Sequence, residues 1–278
     1  MERISKYLLA LPLSILLLLG CIIPSALVLW MSVYDNGLSL GAYQSVLSGV
    51  YLGILVRTAT TSLIVAFLCV VFGYPVAYYL ANSKTKYKTV LLLLIVSPMW
   101  VSTLVRTYGW IIVLGREGLV NSLLSTFYII DKPLPLLYNL FSVLIAMVQV
   151  MMPIAIMLMY SSMLNVNYNL VKAARVLGAN RVRAFLHVYL PLSVNGAVTS
   201  GILIFIMSLG FFVVPALVGG PKNQMISNVI VTQVNQTLNW HFGAALGVAI
   251  IMIGVVAAYL AFILSSRFTS DNLTGGVK

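Results

Sequence analysis

The chain has 278 residues, of which 61% are hydrophobic and only 8% are charged. Soluble domains carry about 25% charged residues, so this composition excludes that class and indicates a polytopic membrane protein. A net charge of +11 would suggest a nucleic-acid partner in a soluble protein. In a membrane protein Lys and Arg accumulate on cytoplasmic loops, so we expect membrane lipid around the chain and no nucleic acid.

Six apolar stretches are long enough, at about twenty residues each, to cross a bilayer as helices. They lie near residues 8–31, 57–81, 89–114, 136–163, 194–214 and 242–266. The first follows two basic residues as a signal peptide would, but it is too long for one and lacks a cleavage site, so we expect a retained helix. Pro75 should kink the second. The predicted fold is an all-α integral membrane protein.

The basic residues divide unevenly between the two sides of this membrane. Eleven of the sixteen lie on one side if the termini, the 82–88 loop and segment 167–191 share it: Arg3, Lys6, Lys84, Lys86, Lys88, Lys172, Arg175, Arg181, Arg183, Arg267 and Lys278. By the positive-inside rule that side is cytoplasmic, with both termini inside. We divide the chain into a first helix and outer loop (1–56), a transmembrane core (57–267) and a cytoplasmic tail (268–278).

A basic segment, 167–191, lies between two long apolar runs and contains no acidic residue. Asn167 can cap a first short helix, and Gly178 can end it in the left-handed conformation. Pro191 should close a second helix or open the next one. The pattern predicts two short helices broken at Gly178.

The side chains of this segment suit docking into a groove of another protein. Ala173, Ala174 and Leu177 share one face at helical spacing. Phe185 and Val188 form an apolar pair three residues apart in the second helix. We expect Phe185 to act as an apolar anchor in the partner's groove.

The segment resembles the EAA loop of ABC-importer permeases, the membrane subunits of binding-protein-dependent transporters. The matching residues are Ala173, Ala174, Gly178, Ala179, Phe185, Val188, Leu190 and Pro191. In that family the loop is the cytoplasmic coupling segment that contacts the ATPase, so the resemblance implies the same role for 167–191. Lys172 departs from the family, which usually has Glu there. It is solvated and indifferent, or meets a carboxylate of the ATPase, or reflects a second, different permease that keeps the Glu.

A second informative stretch is S-L-G-F-F-V-V-P-A-L-V-G-G-P, from Ser208 to Pro221. Gly210 and Pro215 weaken the helix there, and on physical grounds alone it is a helix end that runs into a loop. The string is similar to a signature of spermidine/putrescine-type permeases. That class usually has a polar or acidic residue near Phe211, which this chain lacks. The resemblance makes Ser208, Gly210, Phe211 and Pro215 candidates for the translocation path or its gate.

Arg106 is the basic residue that falls within a predicted span. An unpaired charge in hydrocarbon is costly, so the side chain should face protein, a cavity or the outer interface. An arginine that reaches the outer headgroups and a residue of the translocation path both stay open. Trp100 and Trp110 flank it and suit the membrane interface or packing better than cation binding. Segment 97–110 also looks like the spermidine/putrescine class.

The chain carries no visible means of catalysis or ion coupling. Its five acids lie in predicted loops or tails: Glu2, Asp35, Glu117, Asp131 and Asp271. Secondary transporters usually keep acidic or unwound polar sites at mid-membrane depth. No Gly-Lys dipeptide occurs, so the chain has no P-loop for ATP. His187 and His241 stand alone, and Cys21 and Cys69 lie in apolar runs, so we expect neither a metal site nor a disulfide.

These patterns predict a transport subunit, not an enzyme, similar to type I ABC importer permeases of the spermidine/putrescine class. The resemblance implies a pair of ATPase subunits that bind ATP and magnesium, a second permease of a different sequence, and an extracytoplasmic solute-binding protein. This chain would bind no cofactor and would reside in the bacterial inner membrane. The alternatives are an importer for another small solute, such as an amino-acid derivative or an opine, and an ATP-independent secondary transporter.

Overall fold

The computed structural model describes residues 2–34, 37–83 and 85–274, and these are helical almost throughout. The β pairing in them is an isolated bridge between Tyr34 and Leu38. The helices are α1 (Glu2–Met31), α2 (Gly41–Val46), α3 (Gly49–Asn82), α4 (Lys88–Val96), α5 (Thr103–Leu114), α6 (Leu119–Thr126), α7 (Leu140–Met163), α8 (Tyr168–Val176), α9 (Arg181–Leu209), α10 (Val213–Val218), α11 (Ile226–Asn235) and α12 (Trp240–Thr274). A helix satisfies its backbone groups internally, as hydrocarbon demands. The all-α prediction is confirmed.

Four helices of the described residues are long and apolar enough to cross a membrane: α3, α7, α9 and the Trp240–Leu260 part of α12. The apolar part of α1 described at side-chain level, Ile15–Met31, is shorter. The count of six spans and the orientation therefore stay predictions. The loop acid Asp35 and the basic Lys84 lie outside the described residues.

The span predicted at 89–114 is wrong as a single helix. The chain bends by 94° between Lys88–Trp100 and Thr103–Thr126, so this pair makes a fifth span only if counted as one broken unit. Pro98 lies in a tight 3-10 turn after α4, and the next two residues are extended, with ψ of 132° and 137°. Proline has no N–H to continue the helical ladder and its ring clashes with the preceding turn. The break puts Trp100 and Arg106 on different helices.

The span predicted at 194–214 is also displaced, because the helix that contains it, α9, begins at Arg181 and ends at Leu209. Apolar runs mark where hydrocarbon is crossed, whereas helical hydrogen bonds continue into the polar segment that precedes it. Gly210 caps the other end of α9. The second half of the basic segment is therefore the first part of a membrane-crossing helix.

The main core lies where α3, α7 and α9 pack together. Small residues set the approach of the helices. A side chain at Gly196 of α9 would overlap Ser162 of α7, and one at Gly73 of α3 would press on Met159. Close backbone approach through small residues is how transmembrane helices gain packing without a hydrophobic driving force. Asn139 fixes the start of α7, since its side chain accepts the Ser142 N–H at 3.0 Å in a capping box.

A second, smaller core packs N-terminal helices of the chain against C-terminal ones. Ile226 of α11 and Phe242 of α12 pack with Val46 of α2 and Leu55 of α3. α1 lies against α12, and the His241 ring nitrogen is 2.7 Å from the carbonyl oxygen of Met31. His241, which the sequence left without a partner, therefore has a structural one.

Candidate functional site

Segment 167–191 forms two helical arms around a tight turn. Asn167 caps α8 by accepting the Asn169 N–H at 3.1 Å. Gly178 follows the end of α8 with φ of +94°, a conformation that other residues rarely adopt. The cap and the break at Gly178 are both confirmed. A further cap was missed: Asn180 accepts the Arg183 N–H at 2.8 Å and starts α9. Its signal is an Asn directly before a basic helical run.

The second arm does not end as a separate short helix at Pro191, since α9 runs on through it. Residues Phe185–Tyr189 form a widened, π-helical turn immediately before Pro191. Such turns relieve the loss of a backbone N–H and the clash of the proline ring with the preceding turn. Pro191 lies in the first turn of the regular α-helix that follows, Leu190–Leu209, so it opens that part as predicted, although the helix as a whole is continuous from Arg181.

An aromatic cluster fixes this turn to α3. The Phe185 ring meets the Tyr78 ring edge to face, with centroids 5.3 Å apart, and Tyr78 meets Tyr189 in the same way at 4.7 Å. Asn82, the last residue of α3, donates to the Tyr189 hydroxyl at 2.8 Å. Tyr74 and Ser193 share a hydrogen bond of 2.6 Å. The Phe185 ring is partly buried by these contacts, and its role as an apolar anchor in a partner's groove stays a prediction.

The outer surface of the two arms is exposed to solvent. Val176 and Leu177 are 86% and 88% exposed. Lys172, Arg175 and Arg181 line one concave surface beside them. The inner face of α8 is occupied, since Val171 is buried against Ala184 and Tyr189. The sequence placed Leu177 on one face with Ala173 and Ala174, but Ala174 packs inward beside Val171. Val176 was not singled out.

The helix α5 presents Arg106 to the protein interior. Its Nη2 donates to the Thr103 hydroxyl at 3.3 Å. Its Nε and Nη1 are shielded from solvent and have no hydrogen-bond partner among the described residues. One turn on, the Trp110 indole N–H donates to Gln149 of α7 at 3.4 Å. Gln149, a polar residue in the middle of an apolar span, was the signal in the sequence that could have predicted this contact. Trp100, 79% exposed, is not part of the arrangement.

The stretch that begins at Ser208 is a helix break followed by α10, which packs against α5 and α7. The carbonyl oxygens of Phe211 and Phe212 accept from the side chains of Ser227 and Asn228, at 2.8 and 2.9 Å. The Ser208 hydroxyl is buried without a partner among the described residues.

The structure thus packs the helices that carry Arg106, Trp110 and Pro215 against each other. α10 carries the buried Pro215, and the packing sets it beside the helix of Arg106 and Trp110. Phe211 and Trp110 pack against the same core cluster. The sequence analysis missed Ser227 and Asn228. These residues of α11 donate hydrogen bonds to the backbone carbonyls that the helix break leaves free. In the described part of the chain, no three His, Cys, Asp or Glu side chains come together as a metal site.

Comparison with known proteins identifies the family. Residues 70–270 match the family described as binding-protein-dependent transport system inner membrane component. The chain is 33% identical over 215 residues to the spermidine/putrescine transport system permease protein PotB of Escherichia coli K12, covering 77% of this chain and 78% of the relative. It is 31% identical over 250 residues to PotB of Haemophilus influenzae, covering 87% and 86%.

Solved structures agree on the fold. A chain of the bacterial alginate ABC transporter, in complex with its alginate pentasaccharide-bound periplasmic protein, superposes with a TM-score of 0.73 at 18% identity, covering 96% of each chain. The likeness in fold and the family match converge on one conclusion. The chain is a multi-pass inner-membrane protein that belongs to the family of binding-protein-dependent transport system inner membrane components.

Proposed function

We propose that this chain forms half of the translocation pathway of an ATP-driven importer whose solute is a polyamine such as spermidine or putrescine. The observation that carries the solute class is the likeness to two PotB permeases over three quarters or more of both chains. The chain itself performs no covalent chemistry. ATP and magnesium bind to a partner ATPase, and an extracytoplasmic binding protein delivers the solute.

Segment 167–191 is the proposed coupling loop, through which ATP-driven movement reaches the membrane. The helix α9 continues from the loop into the core, where it packs against α3 and α7. The contacts of Phe185 and Tyr189 with Tyr78 fasten the loop to α3. A displacement of the loop by the ATPase would therefore move α3 and α9 together, as a unit.

The proposed pathway lies where α5 and α10 meet. Arg106 and Trp110 are on α5, and Ser208, Gly210, Phe211 and Pro215 belong to the break that precedes or forms α10. A broken helix can change its packing with little loss of backbone hydrogen bonding when side chains already satisfy the break, as Ser227 and Asn228 do. The second half of the pathway would come from a different permease chain.

One observation favours a second candidate, an importer for another small organic solute. Arg106 places a positive charge beside the proposed pathway, and its Nε and Nη1 have no partner in the described residues. An unpaired guanidinium favours an anionic group and repels a cation. A solute with a carboxylate, such as an amino-acid derivative, would suit it better than a bare polyamine.

Uptake by cells separates the two candidates. Cells without their own polyamine uptake would receive this chain, its ATPase, the second permease and the binding protein, and be supplied with labelled spermidine or putrescine. We expect ATP-dependent accumulation that ends when this chain is omitted. If the purified binding protein bound no polyamine in calorimetry but did bind a carboxylate-bearing amine, the polyamine assignment would be wrong.

A further inference from the structure

An apolar groove of about 510 Å³ opens on the outside of the helix bundle, between α3 and α12. Both helices pack against α9, which forms the floor of the groove. The floor contains the small residues Ala197 and Gly201, whereas Phe67 and Leu260 on the two walls are 63% and 55% exposed. The lining consists of apolar residues throughout. Its occupant must therefore be apolar, because a polar group placed there would lose its hydrogen bonds without compensation.

The groove is too narrow for another helix. On α9 it extends from Val194 to Phe205, a length of about 16 Å at 1.5 Å per residue. Its mean cross-section is then about 30 Å², whereas a helix with its side chains, about 10 Å across, needs about 80 Å². A hydrocarbon chain is only about 4 Å thick, which is the contact distance between carbon atoms. The groove therefore matches one or two acyl chains of a lipid.

The helix that forms the floor continues into a basic end. About twenty residues of a helix cross the hydrocarbon, so counting back from Leu209, where α9 ends, puts one membrane edge near Leu190. His187 and Arg183 follow within the next two turns, and both are exposed. Helical spacing, with one residue added for the widened turn, puts them on the side of α9 that carries Val194. Both cationic residue types thus lie below the groove, at the depth of lipid headgroups.

Arg183 and His187 have the chemistry of a phosphate site. A guanidinium binds phosphate through parallel charge-assisted hydrogen bonds. The His187 Nδ1 is 3.2 Å from the Arg183 carbonyl oxygen, so Nε2, on the far side of the ring, is directed away from that contact and donates when the ring is protonated. No acidic residue occurs between Asp131 and Asp271, so no carboxylate of α9 competes with a phosphate for these donors.

We propose that the groove holds the acyl chains of an anionic phospholipid, whose phosphate binds at Arg183 and His187. The apolar lining accommodates the chains, and the cations select the headgroup. A zwitterionic headgroup is attracted less, because its amine offsets the charge of its phosphate. The chains would touch α3, α9 and α12 at once, so the lipid is a structural bridge among three helices. The site does not depend on which solute the importer carries.

Native mass spectrometry of the assembled transporter tests the groove. The complex is taken from nanodiscs that contain equal amounts of phosphatidylglycerol and phosphatidylethanolamine. We expect the wild-type complex to retain phosphatidylglycerol, and Val198→Phe, whose ring fills the groove, to lose most of it. The matched control is Ile251→Phe, which enlarges an exposed side chain of α12 outside the groove and should change nothing. Equal retention by the wild type and Val198→Phe would overturn the proposal.

The headgroup is tested separately with Arg183→Gln and His187→Gln together. At about 1 kcal/mol for each basic residue near a membrane surface, we expect the wild type to prefer phosphatidylglycerol over phosphatidylethanolamine about fivefold or more. The double variant should retain lipid but lose most of that preference. Arg116→Gln is the control, since it removes the same charge far away in the sequence. A wild type without preference, or a double variant with the wild-type preference, would overturn the anionic class.

A helix of the second permease is the competing occupant. If Val198→Phe released the second permease and left the retained lipid unchanged, the groove would belong to that chain and the lipid site would be wrong. Phe67→Ala gives the same test without filling the groove, because it shortens an exposed side chain of the wall. We expect it to retain less phosphatidylglycerol than the wild type, and an unchanged amount would count against the site even if Val198→Phe failed to fold.

Discussion

The proposed coupling segment 167–191 and the helix break at 208–215 are built in opposite ways. In the coupling segment the polar atoms that face inward are paired, as between Asn82 and Tyr189, and the unpartnered groups lie on the outside. At the break, unpartnered polar atoms lie inside, at Arg106 and Ser208 of the described chain. A satisfied interior makes a rigid element that transmits force, whereas buried unpaired groups destabilise a conformation and favour one that satisfies them.

The largest effect should come from breaking the rigid element at its turn. Gly178→Pro forces φ to about −65° where the chain has φ of +94°. We expect uptake to fall to background because the two arms can no longer meet in this geometry. Gly178→Asn is the control, since Asn tolerates the left-handed region, and it should keep most uptake. Solute uptake with protein levels checked by immunoblot measures both, and normal uptake by the proline variant would contradict a fixed turn.

Phe185→Asp tests whether the aromatic cluster stabilises the chain itself. The change places a carboxylate against the rings of Tyr78 and Tyr189, and we expect a loss of roughly 3 kcal/mol of stability. Phe185→Leu, which stays apolar, should lose less. Thermal unfolding of the purified chain without ATPase is the measurement. An unchanged melting temperature together with lost ATPase binding would instead support Phe185 as an apolar anchor in the partner's groove.

Arg106→Met should act in the opposite direction on stability. The substitution removes two buried donors without partners and keeps an unbranched apolar stem of similar reach, so we expect a gain of about 1–3 kcal/mol. Uptake should fall if the guanidinium serves the pathway. Arg106→Lys keeps the charge and separates the two effects. A less stable methionine variant in the assembled transporter would mean that a partner chain satisfies Arg106.

The smallest expected effect is a difference in the free energy of unfolding between alanine variants of two serines near the same helix break. Ser227→Ala removes the hydroxyl that donates to the Phe211 carbonyl at 2.8 Å and should cost about 1 kcal/mol. Ser208→Ala removes a buried hydroxyl without a partner among the described residues and should be neutral or slightly stabilising. Chemical denaturation of the two variants in one detergent gives the difference. Equal losses would mean that Ser208 has a partner in the membrane assembly.

Local signals in the sequence were sufficient to predict where the first helix of segment 167–191 begins and ends. Asn167 and Gly178 act through their own backbone and the next few residues, so their roles as cap and break follow from residue type. The all-helical fold follows from the apolar runs, because hydrocarbon requires internal backbone pairing. The orientation rests on the distribution of Lys and Arg and stays a prediction.

The sequence-based predictions of helix ends were wrong where contacts between distant parts of the chain, or the exact pattern of backbone hydrogen bonds, decide whether a helix continues. The 94° break after Pro98 and the continuous path of α9 through Pro191 involve the same residue type with opposite results. In one case two extended residues, Val101 and Ser102, follow the 3-10 turn that contains the proline, and in the other a widened turn precedes the proline. No signal within a few residues distinguishes them, because the packing of neighbouring helices chooses between them.

The sequence by itself determined that this is a helical membrane permease with a basic cytoplasmic-type loop, because composition, helix caps and motif spacing are properties of short stretches. Only the tertiary structure decided which way each side chain of that loop faces. Phe185 packs against Tyr78, more than a hundred residues away in the chain, and is partly buried, while Val176 and Leu177 are exposed. The physical reason is that burial depends on what the rest of the chain brings to that place.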